Sequence, residues 1–255
     1  MVKIIQILPG LSVRTSVGMV GACAVTLIDS KGKLILVDTG HFGNRAHLIK
    51  ALENNGIDPK SIEIVILTHL HWDHCLNIDL FSNAKIYLNE KEYKMGDIIP
   101  NFNNLSPEYN KAINNIIKKA ILENKRLELF NGDINLTKDI KLLETPGHSP
   151  GHTTILIEND EEKIVCSGDT IALARDYLLE YPDLIFYDKK KAHESIIKIK
   201  NEKPSIIYPG HDRPFKIKNG KIFYLKNAEV EILIRSSLYD NYHIKMINES
   251  FNIET

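Results

Sequence analysis

Residues 68–75 read THLHWDHC and place His69, His71, Asp73 and His74 within one short segment. Imidazole nitrogens and carboxylate oxygens are the donors that zinc and similar borderline cations take, at about 2.0–2.2 Å from the ion. In an extended chain residues i and i+2 share a face, so His69 and His71 can aim at one point. A turn or helix start at Asp73-His74 can aim the next two donors at a neighbouring point. Four donors exceed what one ion ordinarily takes from so short a stretch, which points to two ions.

Three later segments offer donors of the same kind. TPGHSPGH holds His148 between Gly147 and Ser149, in a tight turn where backbone can approach a site closely. CSGDT puts Asp169 just past one apolar run, and YPGHD puts His211 just past another. Each sits where a predicted strand gives way to a glycine-containing loop, the usual place for chemistry on a rigid α/β scaffold. A lone loop histidine is ordinarily a solvated surface group. The HxHxDH spacing together with three strand-end donors favours metal binding over that reading. His41 and His152 lie beside these segments and are read as hydrogen-bonding or surface groups near the cleft. His47, His193 and His243 fall in predicted helices and are read as solvated faces. Cys75 reads as a buried inert thiol, with a nucleophile or ligand role as the alternative. Cys166 reads as core, and Trp72 as packing behind the donors or lining the cleft.

The elements that must position these groups follow from apolar periodicity. GACAVTLIDSKGKLILVDTG predicts a hairpin with its turn at DSKGK. NRAHLIKALENN spaces Ala46, Ile49 and Leu52 as a helix does, and Gly56 is its expected stop. IEIVIL is then a fully buried strand with His69 beyond its C-terminal edge. A helical, polar insertion is predicted at about 90–125, with Ser106-Pro107 as an N-cap and first-turn pair. Short strands return in RLELF, DIKLLET, TTILIE and KIVCSG, followed by a helix over 189–201 and the strand SIIYPG. The tail, at about 225–250, is predicted to be an amphipathic helix. The strand–helix alternation favours an α/β layered fold, with residues 1–255 as one domain.

Composition narrows the class of protein. With 255 residues and 43% hydrophobic content, the chain can fill a substantial core. Its 32 basic and 33 acidic residues nearly cancel, which disfavours a surface built wholly for nucleic acid or anionic membrane. MVKIIQILPG lacks the long apolar stretch of a signal peptide, and no run approaches a membrane span. Three cysteines suggest no disulfide framework, so a cytoplasmic protein is expected.

HLHWDH, GHSPGH, SGDT and PGHD together resemble the metallo-β-lactamase superfamily, and the similarity runs from VDTG to PGHD. The resemblance implies a four-layer αββα sandwich with a metal site at one edge. It implies a first metal on His69, His71 and His148, and a second on Asp73, His74 and His211, with Asp169 bridging. Asp38, in VDTG, matches a position that supports a ligand histidine by a hydrogen bond; a turn-capping role is the alternative. Two divalent ions are expected, zinc first, with iron, manganese or cobalt suited to the same donors. Two such ions can share a water and lower its pKa toward neutrality. Asp73 and Asp169 are taken as the catalytic carboxylates, with Asp73 steering the water proton toward the leaving group.

Within the superfamily the motif wording is similar to the N-acyl homoserine lactonases and the hydroxyacylglutathione hydrolases of glyoxalase II type. The expected reaction is hydrolysis of an ester, lactone or thioester of a small molecule, an acyl lactone first. The lactonases generally carry a tyrosine three residues after the bridging aspartate, where this chain has Ala172; Tyr177 and Tyr181 are candidate substitutes. A phosphodiesterase or nuclease on the same site is the alternative. An iron-dependent dioxygenase and a non-catalytic metal-binding protein rank below it. The insertion and the tail are candidates for a pocket wall or a homodimer interface.

Overall fold

The computed structural model describes residues 2–15, 18–95, 107–159, 162–182, 184–226, 229–235 and 241–247. The chain opens with β1 (Val2–Leu8), the hairpin of β2 (Leu11–Thr15) and β3 (Gly18–Ala22), β4 (Val25–Ser30) and β5 (Lys33–Val37). The predicted β4–β5 hairpin is present, closed by Lys31-Gly32 with Ser30 opposite Lys33. Helix α1 (Arg45–Asn54) then leads to β6 (Ile64–Ile66), the short α2 (Trp72–Cys75) and β7 (Lys85–Asn89). The insertion supplies α3 (Glu90–Met95) and α4 (Pro107–Ile117), the latter running on as a π-turn over Lys118–Leu122 before β8 (Leu127–Phe130). Pro107 opens α4 as expected, whereas Ser106 lies outside the described residues.

The second half contains β9 (Ile134–Asn135), β10 (Ile140–Glu144), β11 (Thr153–Glu158) and β12 (Lys163–Gly168). It continues through α5 (Ala174–Leu179) and α6 (Lys189–Asn201) to β13 (Ile206–Pro209), β14 (Phe215–Lys218) and β15 (Lys221–Tyr224). Asp188 caps α6 by accepting the Lys191 N–H at 2.9 Å.

These strands form a six-stranded sheet, β1-β4-β5-β6-β7-β8, and a seven-stranded sheet, β15-β14-β13-β12-β11-β10-β9. Their apolar residues alternate between two buried faces, which is why the strands read as nearly continuous apolar runs. Ile35 and Val37 of β5 with Ile64 and Ile66 of β6 face the second sheet, where they meet Ile140, Leu142, Ile155 and Ile157. Leu36 and Val65 point the other way, onto Leu48 and Leu52 of α1 and Ile113 and Ile117 of α4. On the far side, Leu156, Val165 and Ile207 pack against Ile196 and Ile199 of α6. Three cores separating four layers give the αββα sandwich. Each fully buried Leu or Ile contributes about 1.5–3 kcal/mol to holding the layers together.

The tail departs from expectation. It is not a helix: β16 (Glu229–Arg235) and β17 (Asn241–Ile247) pair antiparallel, Glu229 opposite Ile247 and Arg235 opposite Asn241. The cause is in the spacing. Val230, Ile232 and Ile234, and likewise Tyr242, Ile244 and Met246, recur every second residue, the strand period. His243 therefore lies in a strand, opposite Leu233, and not on a helical face. The rest of the predicted tail helix, 227–228, 236–240 and from 248 onward, lies outside the described residues. No helix of the described residues is long and apolar enough to cross a membrane.

Candidate metal centre

Parallel pairing sets β5 and β6 side by side, and in the second sheet β12 and β13. Their C-terminal ends emit the loops that carry Asp38, the 69–74 segment, Asp169 and His211, while the β10–β11 loop carries His148. The sandwich brings all these loops to one edge. The donor atoms of His69, His71, His148 and Asp169 lie within 4.8 Å of one another, and so do those of Asp73, His74 and His211. All seven residues singled out by spacing are thus gathered into two groups. Asp169 belongs to the first group yet lies against the second. Its Oδ2 is 3.3 Å from Nε2 of His148 and 3.3 Å from Nε2 of His211, and its Oδ1 is 3.4 Å from Nε2 of His74. Asp73 Oδ2 stands 3.4 Å from His211 Nε2 and 3.7 Å from His74 Nε2.

Most of these rings are aimed by hydrogen bonds on their far nitrogens, the arrangement that fixes a metal-ligating imidazole. His74 Nδ1 donates to Asp38 Oδ2 at 2.8 Å. Asp38 is itself locked, accepting the Thr68 N–H and the Thr68 hydroxyl, both at 2.8 Å. His148 Nδ1 donates to the Leu184 carbonyl at 2.9 Å. A strap after Leu184 completes that hold: Phe186 N donates to the His148 carbonyl, and Tyr187 N and Asp188 N donate to the Gly147 carbonyl. Gly147 is required there, because a Cβ would fall 2.2 Å from the Ala192 Cα at the start of α6. Gly210 is required for a similar reason, its Cβ position lying 2.2 Å from Asp169 Oδ1.

With their outer nitrogens donating, His74 and His148 turn their Nε2 atoms inward, toward Asp169. Nε2 of His69, Nε2 of His74 and Oδ1 of Asp169 are buried and have no hydrogen-bond partner among the described residues. Buried polar atoms are ordinarily satisfied, and electron-rich atoms facing each other call for a cation between them. Five imidazoles and two carboxylates are the donor set of a divalent ion. The residues present therefore fit the metal that the motifs imply.

The electrostatics distinguish the two groups. Burial, reinforced by neighbouring imidazoles, holds His69 and His71 well below the ordinary histidine range, so both are neutral, the form that ligates. Burial works against the charge on Asp169, but His211, His74 and His148 hold its pKa well below the carboxylate range. Burial also works against the charge on His211, yet the Asp169 and Asp73 carboxylates lift it to about 9.

Other residues fall into place. His152, weighed in the sequence as a hydrogen-bonding or surface group, is fully buried. Its Nε2 accepts the Asp169 N–H at 2.9 Å, and its Nδ1 bonds the Thr170 hydroxyl at 2.9 Å. It positions Asp169. His41 accepts the Gly43 N–H at 2.9 Å and meets Trp72 edge-on at 4.9 Å. Cys75 is fully buried with its Sγ donating to the Leu70 carbonyl, and burial pushes its thiol well up, so it is no nucleophile. The two substitute tyrosines are placed elsewhere. Tyr177 packs on Phe215 under the Lys200 ammonium, and Tyr181 lies against His193. Phe186, which no sequence signal marked, is half-exposed and edge-on to His71 at 5.1 Å and to His148 at 5.3 Å.

Two mixed sheets face to face, helices outside and a histidine–aspartate cluster on one edge define a single class of protein. The chain belongs to the metallo-beta-lactamase superfamily, whose sequence pattern it matches over residues 18–211. Among its relatives, an N-acyl homoserine lactonase of Bacillus cereus is 28% identical over 65% of this chain, and the match spans 62% of the lactonase's length. A protein named probable metallo-hydrolase from Methanocaldococcus jannaschii is 28% identical over 70% of each chain. Solved structures share the fold. AidC, a dizinc quorum-quenching lactonase, superposes with a TM-score of 0.64 at 21% identity, covering 89% of this chain and 94% of its own. A single-site mutant of the AiiA protein of B. thuringiensis, with N-decanoyl-L-homoserine bound at its active site, gives 0.64 at 23% identity, covering 83% and 92%.

Proposed function

We propose that this protein is a metal-dependent hydrolase that cleaves a carboxylic ester, lactone or thioester of a small molecule in the cytoplasm, an acyl lactone first. The observation that carries the reading is Asp169, whose carboxylate lies within 3.4 Å of His148, His211 and His74, between the two groups of donors. His69, His71 and His148 would hold one divalent ion and Asp73, His74 and His211 a second, with Asp169 shared. When bound, such ions activate water as a nucleophile and polarise a carbonyl oxygen.

The chain's own residues account for the rest. Asp38 and the Leu184 carbonyl keep His74 and His148 in the tautomer that presents Nε2. Asp73 keeps part of its side-chain surface exposed to solvent. It takes the proton that an attacking water gives up, and returns it to the oxygen or sulfur that departs. No serine or cysteine nucleophile is invoked. Lactonases among the relatives, one with a bound acyl-homoserine and one with two zincs, support the lactone branch and the paired ions.

The test is to load purified protein with zinc or manganese and assay an acyl lactone, a glutathione thioester and an activated phosphodiester, with His148→Ala as the blank. A lactone or thioester rate lost in His148→Ala is expected. A phosphodiester rate alone would overturn the reading in favour of a phosphodiesterase.

A further inference from the structure

Helix α3 carries a buried carboxylate, Glu92, only 3% exposed. Among the described residues no cation pairs with it. Its Oε1 accepts the Gly151 N–H at 2.7 Å, and its Oε2 accepts the Leu70 N–H at a longer 3.4 Å. Leu70 is the residue between His69 and His71, and Gly151 follows His148 by three positions. One carboxylate thus ties together the two loops that bring His71 and His148, 77 positions apart in sequence, to within 2.9 Å. The start of α3 is fastened to the same place from another side. Asn89 accepts the Lys91 N–H at 2.8 Å and donates to Glu144, at the end of β10, at 3.0 Å.

Stability alone gives little reason for such a group. A carboxylate held in the interior without a cation costs free energy, and an apolar side chain of similar volume is often as stable or more so. Asp38 offers the parallel: it too is buried, and it orients His74. Each donor group then has one buried carboxylate behind it.

We propose that Glu92 is a positioning residue for the first donor group, setting the distance between the His69–His71 segment and the His148 loop. The proposal rests on the reading of His69, His71, His148 and Asp169 as a metal site.

The test compares Glu92→Gln with Asp38→Asn in the full chain. Gln keeps the volume but turns an NH2 group toward one of the two backbone N–H groups, so one tether is lost. Metal-free protein is titrated with zinc against a chromophoric chelator and with cobalt(II) by absorption, and the two ions are assigned with His148→Ala and His211→Ala. Thermal midpoints of the metal-free variants are measured alongside. Glu92→Gln is expected to bind the His148-dependent ion about 10- to 100-fold more weakly and the other normally, with Asp38→Asn showing the reverse. Gly151→Ala is expected to reproduce the Glu92→Gln pattern with the carboxylate intact, because its Cβ would meet the Glu92 N at 2.7 Å. It carries the test should Glu92→Gln fail to fold. Unchanged binding of both ions, or equal weakening of both alongside a lowered metal-free midpoint, overturns the proposal. Wild-type protein that takes up no metal overturns the site reading, and this proposal with it.

Discussion

The two donor groups differ in how they meet solvent. His69, His71, His148 and Asp169 are all buried. In the second group only His74 is fully enclosed, while the side chains of Asp73 and His211 keep 16% and 10% of their surface. The first group is thus enclosed, and the second is open to solvent.

Asp169 faces both groups, so its substitution tests whether they act as one. Asp169→Asn should abolish turnover and reduce bound metal below two ions per chain, read by elemental analysis; full activity with two ions bound would separate the groups. The next largest effect is expected from dilute chelator. The ion on the open group should leave first, so that activity falls while one ion per chain remains. Simultaneous loss of both would show that exposure does not set the order.

The metal-free protein should also distinguish the groups by pH. His211 has its pKa lifted from 6.5 to about 9 by folding beside Asp169 and Asp73, burial notwithstanding. Its contribution to stability is therefore complete below about pH 6.5 and is lost as pH rises through about 9. The thermal midpoint of metal-free protein should fall across that window, and that of His211→Asn should fall less; identical profiles would remove His211 as the cause. The smallest effect is expected at the rim. Phe186→Ala should change KM for lactones with long acyl chains several-fold while leaving kcat and metal content near wild type, measured by steady-state kinetics on short and long substrates.

The same contrast governs what can be read from the sequence. The 69–74 segment is legible because all its donors sit on one local stretch whose geometry follows from strand and turn periods. His148, Asp169 and His211 come from three separate loops, yet each follows an apolar run and a glycine, and that repeated signature marks them. Asp38 is visible only through its VDTG setting. His152 is undervalued by its local sequence, because its burial depends on the packing of β11 against β12. Glu92 leaves no trace, being one acidic residue in a polar helical stretch. The C-terminal hairpin reads as a helix because Glu, Leu and Lys are good helix formers, yet the two-residue spacing of its apolar residues outweighs that preference in the fold. The tyrosine question at Ala172 has no local answer. Tyr177 and Tyr181 lie where α5 and α6 pack, which spacing does not encode.

The strap that holds His148 has a consequence for how this protein can change. It grips the histidine through main-chain atoms alone: the Leu184 carbonyl and the amides of Phe186, Tyr187 and Asp188. The side chains at 186 and 187 take no part in those bonds, and one of them borders the donor cluster. Mutation there can reshape the exposed surface beside His71 and His148 without removing the main-chain bonds that hold His148. Selection, natural or in the laboratory, is thereby offered a place to alter substrate range while the metal chemistry is inherited intact.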